Sequence, residues 1–237
     1  MRAFFAYLYP QYDTLLSMDG DDIAASATLI PCKIIRPGQE DTDALYLYSL
    51  TTLPAFRGRG HAQRLLDAAK EKCSCVFLHA ADDSLFSMYK ARGWRGMMHV
   101  KEQLVPAQKH DIDIKPLHAH EYLHLREQHL ADVPHVCWDE NAMHFQAELL
   151  LFGNGGFYAY NHSIAAVLNW EDKHCLPIAE ALGNDATMLC AALAHAYRHE
   201  KAGVLIPCTA TDPGAFPYAQ GVGEEIPDPI QLSFVYL

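Results

Sequence analysis

A chain of 237 residues, half of them apolar and one-fifth charged, is too apolar for a disordered polymer and holds enough material for a sizeable core. With domains of about 100–150 residues the mode, the length suits one large domain or two small ones. Eighteen basic against 29 acidic side chains leave a net charge of −11, which argues against a phosphate-tracking nucleic-acid binder and favours a cationic partner.

No run approaches the ~18 apolar residues that span a bilayer, so no membrane partner is expected. The opening Met1 to Pro10 has no leader core and reads as mature structure of a cytoplasmic protein. Seven cysteines without a regular framework argue against a disulfide scaffold. Cys73-Ser74-Cys75 has the wrong spacing for a zinc or redox pair, and the other cysteines read as small core residues.

In chain order, Phe4 to Tyr12 is an aromatic helical turn or short strand. Thr14 to Met18 and Ile23 to Ile35 flank an Asp-Gly turn and read as a hairpin. Ala44 to Leu53 has the aromatic and β-branched content of a central strand, ended by Pro54. Ala62, Leu65, Leu66 and Ala69 recur at helical spacing. A short strand over 76–80, a helix over 84–92 stopped by Gly93, and a strand over 94–105 follow. Residues 105–111 are the best linker. The second half reads as helices over 118–130 and 139–152, a turn at Gly153 to Gly156, and strands over 157–160, 163–170 and 175–182. A helix over 185–199, a strand at 204–206, a Pro/Gly-rich loop and a closing strand over 230–236 complete it. Both halves end on strands, helix and strand, without a matching sequence repeat.

The strongest chemical signal is Leu53-Pro54-Ala55-Phe56-Arg57-Gly58-Arg59-Gly60-His61-Ala62. A strand ends at proline, glycines let the backbone pass close to an anion, and a helix then starts with free N–H groups. Two arginines add charge-assisted donors, so the segment predicts a phosphate or pyrophosphate site. The Walker lysine-serine pair is absent and the Rossmann glycine pattern is not matched.

Thr52 to Leu66 resembles motif A of the GCN5-related N-acetyltransferase (GNAT) superfamily, whose R-x-x-G-x-G/A is met by Arg57, Gly58, Arg59, Gly60, His61 and Ala62. Asp82 to Trp94 is similar to that family's second signature, a helix ending in Tyr89 and followed by Gly93 and an aromatic; Asp82 stands where the family often has Asn. The resemblance covers about residues 14–105. It implies acetyl-CoA as cosubstrate, its pyrophosphate on the amides of Arg59 to Ala62 and its pantetheine arm beside Leu50 and Thr52. There an amide N–H would meet the oxyanion. It also implies Tyr89 as general acid on the departing thiolate, since a phenol with a pKa near ~10 is protonated at neutral pH.

Two features depart from the family. The strand before motif A reads Tyr46-Leu47-Tyr48-Ser49, without the glutamate that often serves as base. Residues 1–13 are also too short for the strand and two helices that usually wall the acceptor site, which makes the second half a candidate for that task. A two-lobed plan resembles the tandem acetyltransferases of the enhanced-intracellular-survival type. In those a terminal carboxylate acts near the thioester; Leu237 would carry it here, but no third domain follows, so the role is not assigned.

His120-Glu121-Tyr122-Leu123-His124 fits the zinc-hydrolase pattern HExxH, yet 14 histidines make such a match cheap, and no third ligand has the right offset. It reads as an amphipathic helix, as do His195 and His199, and no metal is expected. Trp138-Asp139-Glu140 and Trp170-Glu171-Asp172 could face an amine, but a core tryptophan before a polar helix start or turn is the plainer reading.

The expectation is therefore a mixed α/β sheet flanked by helices in two tandem lobes. Residues 1–105 would bind acetyl-CoA, and residues 112–237 would form a second GNAT-like lobe without the motif, for acceptor binding or support. The reaction would be direct attack of a primary amine, small or peptidic, on the thioester in a ternary complex. A non-catalytic acyl-CoA-binding regulatory module and a zinc hydrolase stand as alternatives, and a homo-oligomer is left open.

Overall fold

Asp19 to Asp22 close a hairpin as their sequence predicts, with β1 (Thr14–Asp19) antiparallel to β2 (Asp22–Ile35). A helical turn at Phe4–Leu8 precedes it. β3 (Thr42–Thr52) pairs with β2, and Pro54–Phe56 form one tight turn before α1 (His61–Lys72). α1 buries His61, Leu65, Leu66 and Ala69, one stripe at helical spacing. β4 (Val76–Leu78) follows and runs parallel to β3. Asp82 caps α2 (Asp83–Lys90), its carboxylate accepting from the Leu85 N–H at 2.8 Å, and β5 (Arg95–Pro106) leads out. The computed structural model describes residues 4–9, 11–169 and 174–223.

The second half contributes β6 (Lys115–Leu117), α3 (Ala119–Leu130), β7 (His135–Cys137), α4 (Glu140–Phe152), β8 (Gly156–Tyr160), β9 (Ser163–Val167), β10 (Cys175–Leu182), α5 (Ala186–Ala196), β11 (Lys201–Pro207) and β12 (Phe216–Val222). Among the described residues the strands form one mixed sheet in the order β1-β2-β3-β4-β12-β5-β11-β10-β9-β8-β6, with β7 on β2. The fold is thus α/β, a large central sheet flanked by helices, as expected.

Three elements differ from the sequence reading. β6 and β7 are three residues each, too short to show a period. The Pro/Gly-rich loop contains β12, whose Pro217 and Gly221 argue against a central strand. Both are tolerated for local reasons. A Cβ on Gly96, beside Pro217, would sit 2.9 Å from the proline ring, and one on Gly221 would sit 2.7 Å from Met97 and the Val76 carbonyl. Small residues let β12 thread between β4 and β5. The strand expected over 230–236, Trp170-Glu171-Asp172 and Leu237 lie outside the described residues.

The core runs through both halves. Trp138 packs edge-on to Tyr46 and Phe77 with ring centroids 5.9 and 6.3 Å away, and Phe145 meets Tyr48 at 5.3 Å. A smaller cluster joins α5 to β9, β10, β11 and Val105. Within the second half lies a buried ion pair, Arg126 Nε to Glu180 Oε2 at 3.1 Å, with neither side chain exposed. Tyr122 donates to the same Glu180 oxygen at 2.6 Å, and Arg126 also reaches Glu127 and the Val136 carbonyl of β7. No described helix is long and apolar enough to cross a membrane.

Candidate active site

β3 and β4 pair only at Leu45–Val76 and Tyr46–Phe77, after which β4 ends and β3 continues to Thr52. The sheet therefore splays open beside the C-terminal stretch of β3. There the strand bulges. Ser26 and Thr28 pair with Thr51 and Tyr48, so Ser49 and Leu50 oppose the single residue Ala27. Ser49 takes a left-handed φ of 55°, a conformation that costs a non-glycine residue about 1 kcal/mol or more and that clusters at functional sites.

Past the proline turn, Gly58 and Gly60 have φ of 78° and 84°, and a Cβ on either would meet nothing within 4 Å. The left-handed turn sets the first amides of α1 against open space. That space is a cavity of about 780 Å³ lined by Leu50, Thr52, Arg57, Gly58, Gly60, His61, Ala62 and Tyr89. Residues assigned to one site from two separate motifs thus meet in one place. Arg59 does not line it: its guanidinium pairs with Asp19 at 2.9 Å and lies over the Phe56 ring. Arg57 donates from Nε to the Thr52 carbonyl at 3.2 Å. His61 is buried, its Nδ1 2.9 Å from Ser17 Oγ, so it serves the wall of the site.

Tyr89 is buried on α2, and desolvation raises its phenol above the ordinary value against a smaller opposing pull from Arg92. Its hydroxyl is protonated at neutral pH. A second cavity of about 280 Å³ shares Leu50, Leu85 and Tyr89 with the first and opens over Tyr46, Tyr48 and His79. His79, one residue past β4, escaped the sequence reading. A polar residue at the C-terminal end of a parallel strand was the available signal, masked by 13 other histidines.

The rival motifs serve structure. Glu121 accepts from the His118 N–H at 2.8 Å in a capping box that starts α3, and His120 stacks on His118. Among the described residues no group of three or more His, Cys, Asp or Glu could hold a metal ion. Trp138 is a core residue, and Asp139 caps α4 by accepting from Ala142 at 2.8 Å and from the Tyr12 hydroxyl.

Residues 1–97 match the family model of the GNAT acetyltransferase domain. Over those residues the chain is similar to a GNAT acetyltransferase domain. No curated protein matches the chain. Among solved structures it is similar to a GCN5-related N-acetyltransferase from Kribbella flavida at 17% identity and a TM-score of 0.59, with 89% of this chain covered. Eis1 from Mycobacterium abscessus aligns over 89% of the chain at 10% identity and a TM-score of 0.60. A GCN5-related N-acetyltransferase from Anabaena variabilis aligns over 88% at 13% identity and the same TM-score. At these identities the likeness is one of fold. The chain spans only 58%, 63% and 62% of those three chains, respectively. The GNAT match ends before β12, so the strand completing the domain's sheet comes from beyond the matched residues.

Proposed function

We propose that the protein is an acyltransferase that moves an acetyl group from acetyl-CoA to a primary amine, by direct attack within a ternary complex. The observation that carries this reading is the pair of cavities meeting at Leu50 and Tyr89, one walled by the glycine turn and the other by tyrosines. GNAT domains in general use acetyl-CoA. The cosubstrate's pyrophosphate would take the first amides of α1, between Arg59 and Ala62, where helix dipole and free N–H groups favour an anion. Its pantetheine arm would follow the bulged end of β3 at Leu50 and Thr52. Arg57 would supply charge, and Tyr89 would hand its proton to the thiolate.

In this reading residues 1–105 bind the cosubstrate, and residues 112–237 form the second lobe that supports the acceptor side. Phe145 of α4 backs Tyr48 and Trp138, just before that helix, backs Tyr46, so the second half supports the tyrosine-lined side of the second cavity. Seven free thiols suit the reducing setting of the cytoplasm. The zinc alternative is not retained, because Glu121 is engaged as a helix cap. A buried, protonated tyrosine at the junction of the two cavities favours turnover over binding alone.

Calorimetric titration of acetyl-CoA into wild type and Ala62→Asp tests the proposal. Ala62 lies in the first turn of α1, where an aspartate favours the helix but repels a pyrophosphate. Affinity should fall by about ten-fold or more with the melting temperature held or raised. Folded wild type that binds no acetyl-CoA overturns the reading.

A further inference from the structure

One face of the β1–β2 hairpin presents apolar side chains to solvent. Leu16 and Met18 of β1 and Ile23 of β2 are 51%, 45% and 49% exposed, whereas Ser17 is buried and meets His61 of α1. Alternation along the strand therefore sends Leu16 and Met18 to the side of the sheet away from α1. Ile23 joins them, because it pairs with Met18 across the hairpin. A lone exposed apolar residue is ordinary, but three neighbours on one pleated face form a patch.

Strand pairing carries that face to the second cavity. Leu16 pairs with Ser26, and Ser26 with Thr51; in the next row Thr14 pairs with Thr28, and Thr28 with Tyr48. Directly opposed residues share a face, so the patch lies on the side of the sheet that carries Tyr48, a lining residue of that cavity. With strands about 4.8 Å apart and residues about 3.4 Å apart, Leu16 to Tyr48 spans about 12 Å, the reach of three or four extended residues.

Charge says what covers the patch. Asp19, Asp21 and Asp22 border it at the hairpin turn. Asp19 binds Arg59, while among the described residues the exposed Asp21 and Asp22 have no cationic partner. Carboxylates beside apolar side chains complement an occupant that is both apolar and basic. A second copy of this chain would bring a net charge of −11 and another acidic turn, and an anionic lipid surface would be repelled in the same way.

Resting on the proposed acetyl transfer, we infer that the acceptor is a lysine of a polypeptide whose apolar and basic residues dock on the Leu16–Met18–Ile23 face. The lysine, three or four residues along that chain, enters the second cavity. There its nitrogen bonds the acetyl carbon as the carbon–sulfur bond breaks. Of the two protons the ammonium loses, one ends on the thiol and one in solvent. A free small amine fills the cavity without touching the patch, so the hairpin adds affinity for a chain alone. That affinity is the same before and during transfer, and it belongs to KM.

Two synthetic peptides test this on the full chain. Each is blocked at its N-terminus and carries one lysine, set at that spacing from a Leu-Arg-Leu segment in one and a Ser-Arg-Ser segment in the other. By fluorescence anisotropy wild type should bind the leucine peptide about ten-fold or more tightly than the serine peptide. Leu16→Thr/Met18→Thr should erase that difference while melting temperature, acetyl-CoA affinity and spermidine turnover stay at wild-type levels, since threonine suits an exposed strand. In thiol release from acetyl-CoA, the double variant's loss should appear in the leucine peptide's KM and not in kcat. Asp21→Asn/Asp22→Asn should weaken both peptides and flatten the salt dependence of binding. Equal binding of the two peptides by wild type, or a difference that survives Leu16→Thr/Met18→Thr, overturns the docking surface. A wild-type dimer that this variant splits in sedimentation gives the patch to a second copy and overturns it too. Faster turnover of spermidine than of the leucine peptide overturns the acceptor class. Wild type that binds the leucine peptide and no acetyl-CoA removes the underlying acetyl-transfer reading instead.

Discussion

At Gly60 the backbone holds a φ of 84° and the space beyond the missing Cβ is empty, so the glycine serves conformation and not clearance. Gly60→Ala should therefore cost about 1–2 kcal/mol from the left-handed strain alone. For a chain of this size that is a fall of roughly 2–8 °C in melting temperature, read by calorimetry. Tyr89 makes the opposite kind of residue-level test. Its ring packs beside Trp94, centroids 6.0 Å apart, and phenylalanine keeps that packing. Tyr89→Phe should leave stability and acetyl-CoA affinity near wild type while lowering kcat about 10²-fold; an unchanged kcat would make Tyr89 only a packing residue. These positions were legible because glycines, arginines and a tyrosine stood at fixed offsets. Arg59 shows where that legibility ended: its type fits a phosphate, but its partner Asp19 sits 40 residues away on a turn. His79 was hidden for the same reason, since Tyr218 reaches it from 139 residues away.

Among the described elements, the five α-helices and the longer strands other than β12 follow periodicity and turn chemistry, because each buries one face or one stripe. The Asp-Gly hairpin and the α1 stripe could be read directly. β7 could not, since His135-Val136-Cys137 has no room for a pattern and owes its place to partners. Its edge pairs with β2, and Arg126 from α3 binds its Val136 carbonyl at 3.0 Å. That arginine is fully buried, so removing its main partner leaves a charge poorly compensated. Glu180→Leu should cost about 3–5 kcal/mol in urea unfolding. The same cluster has an acid limit. Burial pushes Glu127 up, but the hydrogen bond from His135 and the Arg126 charge outweigh it and hold the carboxyl below its usual range. The folded state then binds fewer protons than the unfolded one, and stability must rise with pH through that window. The urea midpoint should accordingly fall as pH drops below about 4.5 towards the folded value. Glu127→Gln should flatten that part of the curve.

At the scale of the whole molecule, the two halves are not separable beads. β7 extends the pairing of β2, and β12 lies between β4 and β5, so the first half's own sheet is incomplete without residues 216–222. The motifs carried a resemblance over residues 14–105 and an expected cosubstrate-binding unit of residues 1–105, and they could not show this. Motifs report local chemistry, whereas strand insertion is a long-range fact written in two glycines and a proline. A chain ending at residue 110 would leave β4 and β5 with unpaired edges and would strip Trp138 and Phe145 from the rings of Tyr46 and Tyr48. Such a fragment should give a collapsed proton–nitrogen spectrum, aggregate, and bind no acetyl-CoA, whereas the intact chain gives dispersed signals. Adding residues 112–237 in trans should restore part of the dispersion, because β12 then regains its slot. A soluble, well-dispersed fragment with acetyl-CoA affinity near that of the full chain would instead mean that β4 and β5 can close on each other. β12 would then be a brace between lobes and not part of the domain's own sheet.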